Sequence, residues 1–290
     1  MRRIPGMPTT NPASEPTASV LVSSCDSYSD IWPFFFHFFF AAWKSPSIPV
    51  RLLSNHMTYD DERVQSVAVG PDLDWSSNLQ KGLGHVSTEY VILVLEDFLF
   101  KTPVDEERVL AACRNLHRIG GKYLAVDQFG GVGDLVPGTD FRASGGDENL
   151  HAGLNLSIWR TDFLREIAQP GKNIWQVESS LRARNRAYEP GVYYMNAGSQ
   201  PIFTYCESVR GLFWKQPALE FLASHGLKPN LYRRPCPNQS DSQLARMRRS
   251  LLKRRMKIAS WFRTQLVQRG IGSVMRPLPE SAKKAGTLPI

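Results

Sequence analysis

Between Asp30 and Trp43 the chain reads DIWPFFFHFFFAAW, with six phenylalanines and two tryptophans in fourteen residues. Its unbroken apolar part is about a dozen residues, roughly 20 Å as a helix, whereas a membrane span needs about 20 residues. No other segment is longer and as apolar, so nothing in the chain is expected to cross a bilayer. Asp30 offers an N-cap and Pro33 suits the first turn, so a helix is expected to about Trp43, stopped by KSPSIP. Phe35, Phe39 and Trp43 recur every four residues and would face a sheet, with Phe36 and Phe40 widening that face. A helix wetted on one side would show more than the lone His37. Phe34 and Phe38 must therefore be covered too, by another segment, a second subunit or a membrane surface.

What flanks this helix sets the fold class. SVLVSS (19–24) reads as a buried strand before it, PVRLLSN (49–55) as a second and SVAVG (66–70) as a weaker third. DWSSNLQKGLGHV is helix-like, and EYVILVLEDFLF (89–100) is the strongest strand in the chain. DEERVLAACRNLHRIG is an amphipathic helix with acids in its first turn and a glycine stop. KYLAVDQF is strand again. Strands that are apolar throughout and alternate with helices indicate an α/β domain, its mostly parallel sheet covered on both faces. Residues 130–149, rich in Gly and Asp, are expected to form a long loop able to close over a ligand. Beyond it LNLSIWR is strand-like, TDFLREIA and IWQVESSLRARNRA are helical, and GVYYMN and PIFTYCESV read as a pair of strands.

The net charge of +8 is a local device. Nine Lys or Arg and no acid lie between Leu244 and Arg269, and the remaining 26 bases face 27 acids. A basic amphipathic helix is expected from about Ser242 to Gln268, with Leu244, Met247, Leu251, Ile258, Trp261, Phe262 and Leu266 near one stripe. Such a helix suits peripheral contact with anionic lipid. No nucleic-acid-binding motif accompanies the bases, so nucleic acid is not an expected partner. The four cysteines make no CxxC pair or metal-ligand spacing and are expected as reduced, inert thiols. Arg2 and Arg3 are followed by no apolar run, so no secretory leader is expected. The expected location is the cytoplasm, peripherally at the inner face of the cytoplasmic membrane. The boundaries expected are a flexible tail (1–17), one domain (18–235, in halves 18–130 and 131–235) and a basic helical extension (236–290).

In open α/β sheets ligands sit beyond the carboxyl ends of the strands. Ser24, Asp26 and Tyr28 follow the first strand, Asn55 and His56 the second, and Glu96 and Asp97 the strongest. Hydroxyls, an amide and a carboxylate pair at three strand ends suit a phosphate-bearing ligand with a divalent cation.

The order VLVSSCDSYSDIW, IPVRLLSN and WSSNLQKGLGHVSTEYVILVLEDFLF resembles nucleotide-sugar glycosyltransferases of the GT-A fold, family 2-like enzymes of bacterial surface-polysaccharide synthesis. The likeness is good over 19–100 and looser through IWR, NIWQVESS and RGLFW to Trp214. It implies a mostly parallel Rossmann-like sheet flanked by helices, and a sugar moved from a nucleotide-diphosphate donor to a saccharide or lipid-linked saccharide. Ser24, Asp26, Tyr28 and Asn55 would hold the nucleotide. LEDF would stand at the Asp-X-Asp element, whose carboxylates bind Mg²⁺ or Mn²⁺ on the diphosphate. Here the pattern departs: with Asp97 as the last acid the first position is Leu95, and with Asp97 in the middle Phe98 fills the last. Neighbours on a strand point to opposite faces, so Glu96 and Asp97 can share a metal only if the strand has already ended. Asp97 is the favoured ligand and Glu96 the second. NIWQVESS stands where inverting members carry a general base: Glu178 would take the acceptor proton and Trp175, three residues earlier, would stack on the sugar. The plain alternative for Glu178 is an ion pair with Arg182, one turn on.

Overall fold

The computed structural model describes residues 16–129, 133–145, 153–186, 189–236, 251, 258, 262, 265, 266, 269 and 274–278. Chain order runs β1 (Ala18–Ser23), α1 (Trp32–Ala42), β2 (Val50–Ser54), β3 (Thr58–Tyr59), β4 (Val64–Ala68), α2 (Trp75–Leu83) and β5 (Tyr90–Leu95). It continues with β6 (Phe98–Phe100), α3 (Glu106–Arg118), β7 (Tyr123–Phe129), β8 (Phe141–Ala143), β9 (Ser157–Arg160), α4 (Thr161–Ile167) and α5 (Ile174–Arg186). Last come β10 (Val192–Met195), β11 (Tyr205–Glu207), β12 (Val209–Arg210), β13 (Phe213–Trp214), α6 (Gln216–Ser224) and β14 (Val274–Met275).

An eight-stranded sheet in the order β4-β2-β1-β5-β9-β7-β10-β8 is the frame. β4, β2, β1 and β5 run parallel, β9 is antiparallel to both its neighbours, and β8 is antiparallel to β10. The α/β, mostly parallel, Rossmann-like class expected for this chain is the one it has. β1 shows why its residues are strand: Val20 and Val22 enter one core and Leu21 the other, so a period of two buries both faces. One core lies under α1, α3 and α6 and the other under α2, α4 and α5, giving three layers. In α3 the apolar stripe is Val109, Ala112, Cys113 and Leu116; Asp105 caps it by accepting the Arg108 amide at 3.3 Å.

The aromatic helix is α1, and every residue in it except His37 and Ala41 is buried. Phe35 and Phe39 meet Phe100 of β6, with ring centroids 6.3 and 5.4 Å apart, and Phe36 stacks on Tyr59 of β3 at 4.5 Å. On the outer side Phe34 meets Trp214 edge-on at 5.9 Å, and Phe38 packs between Phe221 and His225 of α6. A later segment of the same chain supplies the cover. Among the described residues no helix is long and apolar enough to cross a membrane.

Four expectations change. Asp30 does not cap α1: Ile31 holds that position without a side-chain cap, and the Asp30 carboxylate binds Arg234 instead. EYVILVLEDFLF is not one strand but two, broken by a turn at Glu96–Asp97. GVYYMN and PIFTYCESV do not pair; β10 lies between β7 and β8, and β11 pairs with β6. The Gly- and Asp-rich stretch is not all loop, because Phe141–Ala143 adds the edge strand β8. Its residues 130–132 and 146–149 lie outside the described residues, as do the first fifteen residues and most of the basic stretch 242–268.

Candidate functional site

The strand order fixes where the site can form. From β1 the chain proceeds outward through β2 to β4, then returns to place β5 on the other side of β1. The order reverses between β1 and β5, and Ser23 pairs with Leu95 at their carboxyl ends. At such a reversal the connections leave in opposite directions, and there open α/β sheets form their ligand crevice. The turn after β1 (Ser24–Tyr28) and the turn after β5 (Glu96–Asp97) are its two lips.

Asp26 and Asn55 form a latch across the strand ends. The buried Asp26 carboxylate accepts the amides of Asn55 (3.0 Å), His56 (3.0 Å) and Met57 (3.2 Å). Asn55 returns the contact, its Oδ1 accepting the Asp26 amide at 3.1 Å and its Nδ2 donating to the Gly70 carbonyl at 3.2 Å. Charge-assisted bonds to main chain are strong and directional, so the pair fixes the floor of the crevice. Both side chains are committed to protein. Ser24 accepts the Trp32 indole N–H at 2.7 Å.

Tyr28 donates its hydroxyl to the Gly211 carbonyl at 2.9 Å, and the Arg234 guanidinium lies 4.7 Å from its ring centre. Burial raises the Tyr28 phenol pKa, with the Glu96 charge adding to it. Arg234 is only 2% exposed and uses its planar fork fully. It donates to both Asp30 oxygens at 3.1 Å, to the Ser27 carbonyl at 3.1 Å and to the Gly211 carbonyl at 3.2 Å.

The Glu96–Asp97 turn meets the condition that the sequence set, since β5 ends at Leu95. Glu96 is buried, and burial followed by the neighbouring Asp97 charge holds its pKa well above the carboxylate range. Its charge also reaches Cys25, whose thiol pKa burial pushes up to about 12. Ser208 donates its amide to the Asp97 main-chain carbonyl at 2.7 Å, and its neighbour Glu207 pairs with Lys215. Part of Asp97 stays in solvent, but its Oδ1 is sealed and has no partner. Burial, then the charge of Glu207, pushes the Asp97 pKa from the ordinary 3.8 up to about 7.

That shift has a measurable sign. A raised carboxyl pKa means that the folded protein holds the proton more tightly than the unfolded chain. The stability Asp97 contributes is complete below pH 3.8 and is lost as pH rises through about 7. The ligand-free protein is expected to melt lower as pH climbs from about 5 to about 8, and Asp97→Asn to flatten that slope. Thermal melts of both proteins across the range check it; parallel slopes would refute it.

An unpartnered buried carboxylate oxygen is what a cation would satisfy. Among the described residues no group of three His, Cys, Asp or Glu could cage a metal. Mg²⁺ needs no such cage, since one or two carboxylates suffice when phosphate oxygens complete the shell. Glu96 and Asp97 fit that second arrangement.

Trp175 and Glu178 lie on α5. Asn173 caps α5, its Oδ1 accepting the Gln176 amide at 3.0 Å while Gln176 Oε1 accepts the Asn173 amide at 2.9 Å. Asp74 ties this start to α2 by accepting the Gly171 amide at 3.2 Å and the Ser77 amide at 2.8 Å. Asp72 in the same loop is close enough to act on Cys25. Trp175 is 72% exposed. Glu178 is buried, accepts the Leu154 amide at 3.1 Å and lies 3.5 Å from Arg182. The alternative ion pair is therefore present, and no direct contact joins Glu178 to Asp97 among the described bonds. Sequence reading missed Arg234, Glu207 and Lys215, which reach the crevice from more than a hundred residues away.

No family model matches the chain, and neither does any curated protein. Among solved structures it is similar to TarS of S. aureus, residues 1–349, at 13% identity and a TM-score of 0.42, covering 66% of this chain and 60% of that one. It is also similar to a nucleotidyl transferase of Methanothermobacter at 13% identity and a TM-score of 0.39, over 63% and 87% of the two chains. A third is 4-diphosphocytidyl-2C-methyl-D-erythritol synthase of Anaerococcus prevotii, at 10% identity and a TM-score of 0.44, over 73% and 97%. The chain spans three fifths of the TarS chain it matches.

Proposed function

We propose that the protein is a glycosyltransferase that moves a sugar from a nucleoside-diphosphate donor to a saccharide acceptor. One observation carries the reading. At the reversal of strand order β5 stops at Leu95, so two acids share a turn opposite Ser24–Tyr28, and one buried carboxylate oxygen is left unpartnered. Such a lip suits a diphosphate brought in with its cation. The nucleoside would lie along Ser24 and Tyr28, on the floor that the Asp26–Asn55 latch holds still.

Glu96 and Asp97 would hold Mg²⁺ or Mn²⁺, which when bound neutralises charge on the departing diphosphate. The chain's own residues do the rest. Arg234 fixes the ring of Tyr28 and the Ser27–Asp30 turn, so the donor meets a rigid surface. Trp175 offers an exposed ring for a sugar's apolar face. Glu178 takes the proton of the acceptor hydroxyl as its oxygen attacks the anomeric carbon and the bond to the diphosphate breaks.

Glu178→Gln keeps the shape and removes the base. It is expected to lower transfer at least about a hundredfold while leaving donor affinity unchanged, measured by release of nucleoside diphosphate alongside calorimetric donor binding. Unchanged transfer would remove Glu178 from the chemistry. Donor binding without turnover in the wild type would reduce the protein to a nucleotide-sugar-binding module.

A further inference from the structure

Main-chain bonds hold Lys215 beside the Glu96–Asp97 turn. The Ser208 amide donates to the Asp97 carbonyl at 2.7 Å, and the Lys215 amide donates to the Ser208 carbonyl at 2.9 Å. The Lys215 ammonium pairs with Glu207, and both side chains are partly exposed, 33% and 46% respectively. Both charges act on the Asp97 carboxyl, Glu207 raising its pKa and Lys215 lowering it. Arg234 acts on it too, but its guanidinium is spent on Asp30, Ser27 and Gly211. The partner of Lys215, by contrast, is one that an incoming anion can displace.

Lys215 does not serve the helix it begins. It is the N-cap of α6 and makes no capping bond with its side chain. A cation there opposes the helix dipole, which favours negative charge at that end. An anion brought to the same place meets the ammonium and the dipole together. Along the tie two sealed oxygens, Asp97 Oδ1 and Ser208 Oγ, have no partner, and Ser208 is fully buried. Buried polar atoms without a partner mark a place whose bonding a polar ligand completes.

We propose that Lys215 binds the diphosphate of the donor, and that Glu207 holds the ammonium in place until the donor arrives. The assignment rests on the transferase reading. When the bond to the anomeric carbon breaks, its electron pair stays on the diphosphate oxygen, which gains one negative charge. The acceptor oxygen makes the new bond, and its proton goes to Glu178. Lys215 keeps its protons and matches the added charge with one of its own. Leu95 and Phe98 stand where a further acid would help grip a cation, so a positive charge from the chain itself fills a need. Exchanging Glu207 for phosphate costs little, because a half-exposed ion pair is weak.

The test is calorimetric titration of the full chain with UDP, GDP, CDP and ADP in Mn²⁺, on the wild type, Lys215→Met, Lys215→Arg and Glu207→Gln. For the nucleotide that binds the wild type, Lys215→Met is expected to weaken affinity at least about tenfold, since a charge-assisted bond to phosphate is lost. Lys215→Arg keeps the charge and should retain most of the affinity. Glu207→Gln frees the ammonium and should tighten binding about threefold or more, which a merely structural ion pair would not do. Without ligand all three variants should melt close to the wild type, because a half-exposed pair adds little stability. Unchanged affinity in Lys215→Met, or weaker binding in Glu207→Gln, would overturn the proposal and leave the transferase reading in place. No binding of any of the four to the wild type would overturn both.

Discussion

Asp97→Asn is expected to abolish cation-dependent binding of the nucleotide and to lower transfer at least about a hundredfold, while the protein stays folded. The loss is large because the substitution acts where charge develops. An electrostatic group aimed at a departing anion is worth about 10²–10³ in rate, since it costs no reorganisation as the bond breaks. The fold should survive because Asp97 makes no side-chain bond that Asn would lose; its Oδ1 has no partner. Removing a charge that burial and Glu207 disfavour should even raise the melting temperature of the ligand-free protein at neutral pH. A variant that is more stable without ligand and inert toward nucleotide is a signature a purely structural acid would not give.

Arg234→Ala is expected to have the largest effect on stability, about 3–5 kcal/mol, because it leaves a partly desolvated Asp30 without its bidentate partner. It also frees the carbonyls of Ser27 and Gly211 and uncovers one face of Tyr28. For a domain of this size the melting temperature should fall on the order of 10 °C. Adding Asp30→Asn should recover part of the loss, since the uncompensated charge and not the missing contact causes most of it. Denaturant melts of the two single variants and the double variant close the cycle. Additive losses would show that the pair is not coupled.

These outcomes bear on what the residues reveal before folding. β1 and β5 were readable because both faces of each are buried, which leaves runs dominated by Val, Leu and Ile, and β2 from Val50, Leu52 and Leu53 around a half-buried Arg51. α3 was readable from its amphipathic stripe, the acids of its first turn and its glycine stop. The aromatic helix was readable as apolar all round, but its outer cover was not, because Trp214 and Phe221 lie far along the chain. β8 escaped notice because three residues in a Gly- and Asp-rich stretch are held by their pairing with β10 and not by their own preferences. The false pairing of GVYYMN with PIFTYCESV has the same origin: composition says strand, and only packing says beside what.

The site was legible in place more than in role. Polar residues at three strand ends are visible in the sequence, and the fold gathers those of β1, β2 and β5. Whether such a residue meets a ligand or the protein itself depends on backbone that sequence does not display. Asp26 and Asn55 spend their bonding capacity on each other's loops and on Gly70. Arg234, which organises the same lip, sits about two hundred residues from the carboxylate it holds and carries no local mark.

Calorimetric titration of the wild type with UDP, GDP, CDP and ADP, each with and without Mn²⁺, tests the central claim most directly. One nucleotide should bind in a metal-dependent way, and its binding should vanish in Asp97→Asn. Binding that ignores both metal and Asp97 would contradict the role of the Glu96–Asp97 turn, and no binding by any of the four would contradict the transferase reading itself.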